Sequence, residues 1–220
     1  MLVFGAALTC GTLDFCSEKM LSGWKEDKLN TTTSDEMLDN YIKLYNDCMS
    51  GAPADMHFGV HLCRGKSCRC IFRARLLRTS PGNFINAHHF SEGGYDRIAV
   101  KLFNELNAST YYLEYDTARA GGFEPLTQLP KHKNIILGVV STKLHEVEKK
   151  EEMKEKVLAA AETMAKGNFG SKEEALKNLG ISPQCGFSTH VEGYPLSHDE
   201  MKVKMTVIRE LCDELWPGEK

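Results

Sequence analysis

His61-Leu62-Cys63 sets an imidazole and a thiol two residues apart, at the end of an apolar run, His57–Leu62 (HFGVHL). If that run is a strand, period-two alternation turns both side chains to one face. Glu114 lies inside a second apolar run, Thr110–Tyr115 (TYYLEY). A carboxylate buried there needs a metal or an arginine as partner. Cys185 follows Pro183-Gln184 and precedes Gly186, just past a short apolar segment at Ile181–Ser182. One imidazole, two thiols and one carboxylate suit Zn²⁺, which takes N, S and O donors in tetrahedral geometry. His61, Cys63, Glu114 and Cys185 are therefore the candidate metal ligands. The residues leave other readings open. A lone HxC pair is a weak signal, because a strand histidine is more often a hydrogen-bonded core residue. Glu114 can pair with Arg119 instead, and Cys185 can be plain core. His61, Cys63, Cys68 and Cys70 form a rival local set, though their spacing is that of neither a zinc finger nor a zinc ribbon.

For the four donors to meet, the segments that carry them must be neighbours with their ends at one rim. A fourth apolar run, Asn134–Val140 (NIILGVV), completes a set of four expected strands. Helical spacing separates them. Ser34–Met49 places Met37, Leu38, Tyr41, Leu44, Tyr45 and Cys48 at three- and four-residue intervals, and Tyr95–Leu106 does the same with Ile98, Leu102, Phe103 and Leu106. Glu146–Lys166 is a charged helix with Val147, Val157, Leu158, Ala161 and Met164 inward. Ser171–Leu179 opens on a serine with Glu174 three residues on, the pattern of a capping box, and His198–Trp216 has Ser197 as its cap. Strands alternating with helices specify an α/β fold with a parallel sheet. Four such units make half of an eight-fold barrel or a small open sheet. In either, all strand C-termini lie on one rim, where barrel active sites are built.

The totals bound the rest. The chain has 220 residues, 42% hydrophobic and 26% charged, which suits a single globular domain over 1–220. A net charge of -3 offers no field for nucleic acid or an anionic membrane. No apolar run approaches the roughly 18 residues of a membrane span. The opening MLVFGAALTCGTLDFC lacks a basic leader and reads as a buried strand. Eight cysteines without a secretory signal fit a reducing, cytoplasmic setting, with free thiols or metal ligands. One stretch breaks the pattern: Lys66–Gly82 (KSCRCIFRARLLRTSPG) is basic, with neither strand nor helix period, and reads as an irregular insertion; an anion-binding loop is the minor alternative.

In combination these segments reach a family. HLC, FSEGGYDRIAVKLFNEL, YYLEYDTARAGGFEPL, NIILGVVSTK and ISPQCGFSTH resemble the C-terminal barrel of cobalamin-independent methionine synthase, and look most like the short single-barrel homologues of fungal type. The resemblance runs from about Phe15 to Trp216, apart from the insertion. It implies the second half of a TIM (β/α)8 barrel of the methionine synthase/uroporphyrinogen decarboxylase-like type, truncated at its N-terminus. It also implies zinc held by the HxC pair, a Glu on the next strand and a late Cys-Gly, which match His61, Cys63, Glu114 and Cys185. The implied reaction is methyl transfer from 5-methyltetrahydrofolate to the thiolate of homocysteine, or a related thiol alkylation; a zinc-binding fragment without catalysis is the alternative. The implied partners are these small molecules, with self-association through the open barrel edge. Three departures stand out. The chain supplies half of the expected strands. The family's acidic pair, expected near Leu8–Leu13, is replaced by LTCGTL. Ser141-Thr142-Lys143 stands where the classical enzymes place a proton-relay histidine. Family members also run almost directly from the CRG motif to NF, as Gly65 and Asn83 would if joined. We expect Lys66–Gly82 to be a retained intron, since Gly-Lys-Ser can be encoded with a splice-donor-like GTAAGT, and Met1 to be a misplaced start. A transcript that encodes Lys66–Gly82 in its mature form would overturn that expectation.

Overall fold

The computed structural model describes residues 32–62, 94–187 and 196–219. Cys63, Cys68, Cys70, the insertion at 66–82 and the apolar N-terminal run lie outside the described residues, as does the side chain of Arg119.

Helix α1, Ser34–Met49, begins at a full capping box: the Thr33 hydroxyl accepts from the Glu36 N–H, and the Glu36 carboxylate accepts from the Thr33 N–H. Leu38, Ile42, Tyr45 and Met49 form its inward stripe at helical spacing. Leu44, expected inward, is exposed, because it sits about 100° away from that stripe. Helix α2, Asp96–Glu105, buries Ile98, Ala99, Leu102 and Phe103. It is tied to α1 by Asn46, which donates to the Glu105 carbonyl at 2.7 Å and accepts from the Asn107 N–H at 2.8 Å, so that an end of α2 is closed by a neighbour.

Strands β1, Gly59–Leu62, β2, Thr110–Glu114, β3, Asn134–Val140, and β4, Leu179–Pro183, pair in the order β1-β2-β3-β4, all parallel. The run expected as a strand at Ile181–Ser182 extends by residues on both sides, and the first strand is shorter than its apolar run. Helix α3, Lys150–Met164, buries Met153, Val157, Ala160, Ala161 and Met164. It starts later than its charge pattern suggests. Val147 therefore lies before the helix and is exposed rather than inward. The short α4, Lys172–Leu176, is capped by the Ser171 hydroxyl, which accepts from the Glu174 N–H, while the Glu174 carboxylate pairs with Lys177. Helix α5, His198–Leu215, has both halves of its capping box at Ser197 and Glu200.

The two faces of the sheet differ. Tyr111, Leu113, Ile135, Leu137 and Val139 are fully buried, in one core with the apolar residues of α2 and α3. The alternate positions, Gly59, His61, Tyr112, Ile136 and Gly180, are half-exposed. Half of a TIM barrel has this character: the convex face is covered by helices, while the concave face is the interior that the other four strands would fill. At the N-terminal end of the sheet the buried Lys133 ammonium donates to the Phe103 and Leu106 carbonyls at 2.7 and 2.6 Å and to the Tyr111 hydroxyl at 3.1 Å. It closes the C-terminal end of α2 against the sheet. Burial pushes its pKa down.

Candidate metal centre

Three of the four expected donors come together at the C-terminal rim. His61 lies near the end of β1, Glu114 ends β2, and Cys185 follows β4 by two residues. The Cys185 thiol donates to Glu114 Oε1 at 3.1 Å; His61 Nε2 is 3.4 Å from Cys185 Sγ and 3.8 Å from Glu114 Oε1. Glu114 is fully buried, and the His61 side chain is 32% exposed. Cys63 lies outside the described residues.

These distances can be compared with what a metal demands. Bonds of roughly 2.0–2.3 Å in a tetrahedron imply donor–donor separations of roughly 3.3–3.8 Å. The observed separations are 3.1, 3.4 and 3.8 Å, so two edges of the nitrogen–oxygen–sulfur triangle fall within that range and the third, Cys185–Glu114, is slightly short of it. The donor set fits a divalent cation of the zinc type, with only slight spreading of the Cys185–Glu114 edge.

β2 and β4 are not neighbours, yet their ends touch across β3. Gly138 permits this. It pairs in register with Glu114 on one side and Ser182 on the other. A β-carbon placed there would stand 2.8 Å from Gln184 Cα and 3.1 Å from the Leu113 carbonyl oxygen. The missing side chain thus lets the chain after β4 fold over β3, where the pairing register shifts between Gly138 and Val140. The Gln184 N–H donates to the Val140 carbonyl at 2.8 Å and fixes that crossing. On the other side, the buried Tyr95 hydroxyl accepts from the Glu114 backbone N–H at 3.0 Å and holds the end of β2.

A polar network stands behind the carboxylate. Glu114 Oε2 accepts from Gln184 Nε2 at 3.3 Å. Gln184 Oε1 accepts from the Ser141 hydroxyl at 3.0 Å and from the Thr142 N–H at 3.3 Å. The Ser141 N–H donates to Glu148 Oε1 at 2.7 Å, and Glu148 Oε2 pairs with Lys204 at 2.9 Å. Lys204 is fully buried in α5 and also donates to the Glu146 carbonyl. The ligand search in the sequence missed Gly138, Gln184, Tyr95, Glu148 and Lys204. Signals existed for two of them. A glycine inside the apolar run NIILGVV marks a close backbone approach. Lys204 also falls on the inward stripe it shares with Ile208 and Leu211, where a lysine needs a buried partner.

No family model matches the chain. It is 32% identical over 203 residues to the uncharacterized protein YxjG of Bacillus subtilis and 29% identical over 177 residues to the uncharacterized protein YxjH of the same organism. These matches cover 92% and 80% of this chain but 46% and 40% of the relatives, so the chain spans less than half the length of the curated proteins it matches. Among solved structures it is similar to a candidate vitamin-B12-independent methionine synthase from Listeria monocytogenes, with a TM-score of 0.57 and 23% identity over 90% of this chain and 47% of that one. It is also similar to a B12-independent methionine synthase from Shewanella sp. W3-18-1 in complex with selenomethionine, with a TM-score of 0.55 and 18% identity over 82% of this chain and 44% of that one. The chain therefore has the α/β fold of half of a methionine-synthase C-terminal barrel.

Proposed function

We propose that this chain holds one zinc ion through His61, Cys63, Glu114 and Cys185 and contributes the metal-bearing half of a methyl-transfer site of the cobalamin-independent methionine-synthase kind. The observation that carries the reading is the triangle of imidazole, carboxylate and thiol at the strand C-termini, close to tetrahedral spacing. The fold likeness to B12-independent methionine synthases supports the reaction class. A zinc ion there would supply acidity to an incoming thiol, so that homocysteine or a related thiol reacts as thiolate at neutral pH.

The chain's own residues have defined tasks in this scheme. The His61 side chain is half-exposed, while the fully buried Glu114 lies on the far side of the triangle. Two thiolates and a carboxylate would keep the substrate sulfur electron-rich. In the transfer, sulfur bonds to the methyl carbon as the bond from that carbon to folate N5 breaks, and N5 takes up a proton. Ser141-Thr142-Lys143 follows β3 where the resembled family has its relay histidine. None of these three side chain types has an ordinary pKa near neutrality, so the relay role of that histidine has no counterpart at this position. That departure favours a second reading, a zinc-binding homologue with weak catalysis.

The experiment is metal analysis of the folded protein, followed by an assay with homocysteine and methyl-folate. About one zinc per chain is expected, lost in Cys63→Ser and in Cys185→Ser, because thiolates carry much of the affinity. Zinc retained by both variants overturns the site. Zinc present without turnover selects the second reading.

A further inference from the structure

The Gln184 side chain touches the candidate metal centre from behind, and its polarity is fixed. An amide can be turned either way, so its orientation has to be argued from its partners. At one end of Gln184 stand two donors, the Ser141 hydroxyl at 3.0 Å and the Thr142 N–H at 3.3 Å. The Thr142 N–H can only donate, so that end must be the amide oxygen. The amide nitrogen is thereby turned to Glu114 Oε2, at 3.3 Å. Ser141 is held in its turn by Glu148, through its N–H, and Glu148 by the buried Lys204. Gln184 itself is buried, and its backbone is pinned to Val140. The chain of hydrogen bonds thus runs from the last helix, through the turn after β3, to one oxygen of a fully buried carboxylate. The other oxygen, Oε1, is the one that faces His61 and Cys185.

We infer that Gln184 is a positioning residue for the metal: its amide, locked by Ser141 and Thr142, engages Glu114 Oε2 and so presents Oε1 alone to the ion. This rests on the zinc reading above. A carboxylate left to rotate in the cavity would offer its oxygens in several orientations, and the entropy lost on binding would weaken the site. Outer partners of metal ligands act in this way, and removing one costs roughly 10–100-fold in affinity.

The test measures zinc affinity of the 220-residue protein by competition with a chromophoric chelator, together with the visible spectrum of the Co²⁺-loaded form. Gln184→Met keeps the length and removes the amide. Ser141→Ala leaves Gln184 in place but loosens its lock. Gln184→Met should bind zinc roughly 10–100-fold more weakly. Its Co²⁺ spectrum should keep the sulfur charge-transfer band and alter the d–d bands that report the oxygen donor. Ser141→Ala should weaken binding in the same direction, by less. Wild-type affinity in both variants, beside a Cys185→Ser that loses its metal, overturns the inference and leaves the zinc site standing. So does a lower melting temperature with unchanged zinc affinity of the folded fraction, since that is what a merely structural role predicts. If Gln184→Met does not fold, Ser141→Ala decides alone: weaker zinc supports the inference and unchanged zinc overturns it. A wild-type protein that binds no zinc overturns the metal reading itself, and this inference with it.

Discussion

Glu114 carries opposite demands on one side chain. It is fully buried at the end of an apolar strand, where an ionised carboxylate is costly unless compensated. Hydrogen bonds from the Cys185 thiol and the Gln184 amide offset part of that cost, and a cation held by the donor triangle would offset more. Glu114→Gln preserves the shape and removes the charge. It should weaken zinc binding by more than the roughly 10–100-fold attached to an outer partner, because a donor atom itself is altered. Arg119→Ala should leave zinc affinity unchanged. Should Arg119→Ala unfold the protein while Glu114→Gln keeps its metal, Glu114 belongs to an ion pair and not to a metal site. Cys68→Ser and Cys70→Ser should each change zinc content little. Metal loss in either would move the site to the local set His61, Cys63, Cys68 and Cys70.

Elements bring these residues to one place, and a single missing side chain makes it happen. In Gly138→Ala the new methyl group would press on the Gln184 backbone, which cannot rotate away as a flexible side chain could. Overpacking of this kind costs about 1–3 kcal/mol. The expected result is a fall in Tm of several degrees together with weaker zinc binding, because Gln184 and Cys185 move with the crossing. Unchanged zinc affinity in Gly138→Ala would show that the crossing does not set the site. The strands and their parallel order were legible from apolar runs that alternate with helical spacing. The convergence of His61, Glu114 and Cys185 was legible from residue type and from the rule that parallel strands share a C-terminal rim. The crossing of β4 over β3 was not, because the register shift after Gly138 is a tertiary fact about two strands and leaves only one glycine as its trace. Leu44 and Val147 misled for a simpler reason: an apolar residue near a helical stripe satisfies the pattern without facing the core. Capping was legible in part: Ser171 and Ser197 are both caps, but the full box expected at Ser171 forms instead at Ser197 with Glu200, because the Glu174 carboxylate pairs with Lys177. It also gives a pH prediction. Hydrogen bonds from the Ser197 backbone, from His145 and from the Ser197 hydroxyl pull the pKa of Glu200 down from 4.5 to about 2. The carboxylate's contribution to α5 is therefore complete above 4.5 and is lost as the pH falls towards about 2. Glu200→Gln should lower Tm at neutral pH, and its difference from wild type should shrink through that window. A difference that stays constant on acidification would place the effect elsewhere.

At the scale of the molecule the concave face governs what the chain can do. Among the described residues, four parallel strands cover one side of the candidate site, and His61, Tyr112 and Ile136 remain half-exposed on the face that a closed barrel would bury. No described helix is long and apolar enough to cross a membrane, so these positions are not explained by a lipid phase around a spanning helix. Among the described residues β1 and β4 are the outer strands of the sheet, and we propose that they pair with another copy of the chain. The matched relatives are about twice as long, so their additional length is where the remaining walls of such a site would come from. Methyl transfer depends on holding a thiolate and a methyl donor in line, at a separation where small misplacements cost large factors in rate. A site walled by the four described strands alone would hold two such substrates poorly, and Leu8–Leu13 carries no acid that could pair with an ammonium group. The 220-residue chain should therefore bind zinc but turn over homocysteine and methyl-folate poorly, and its apparent mass should rise with concentration. A longer form carrying an upstream half-barrel, without Lys66–Gly82, should be more soluble, monomeric at the same concentration and faster. Both forms can be compared by light scattering and by the same methyl-transfer assay. Equal turnover from the 220-residue chain would mean that four strands suffice to hold both reactants.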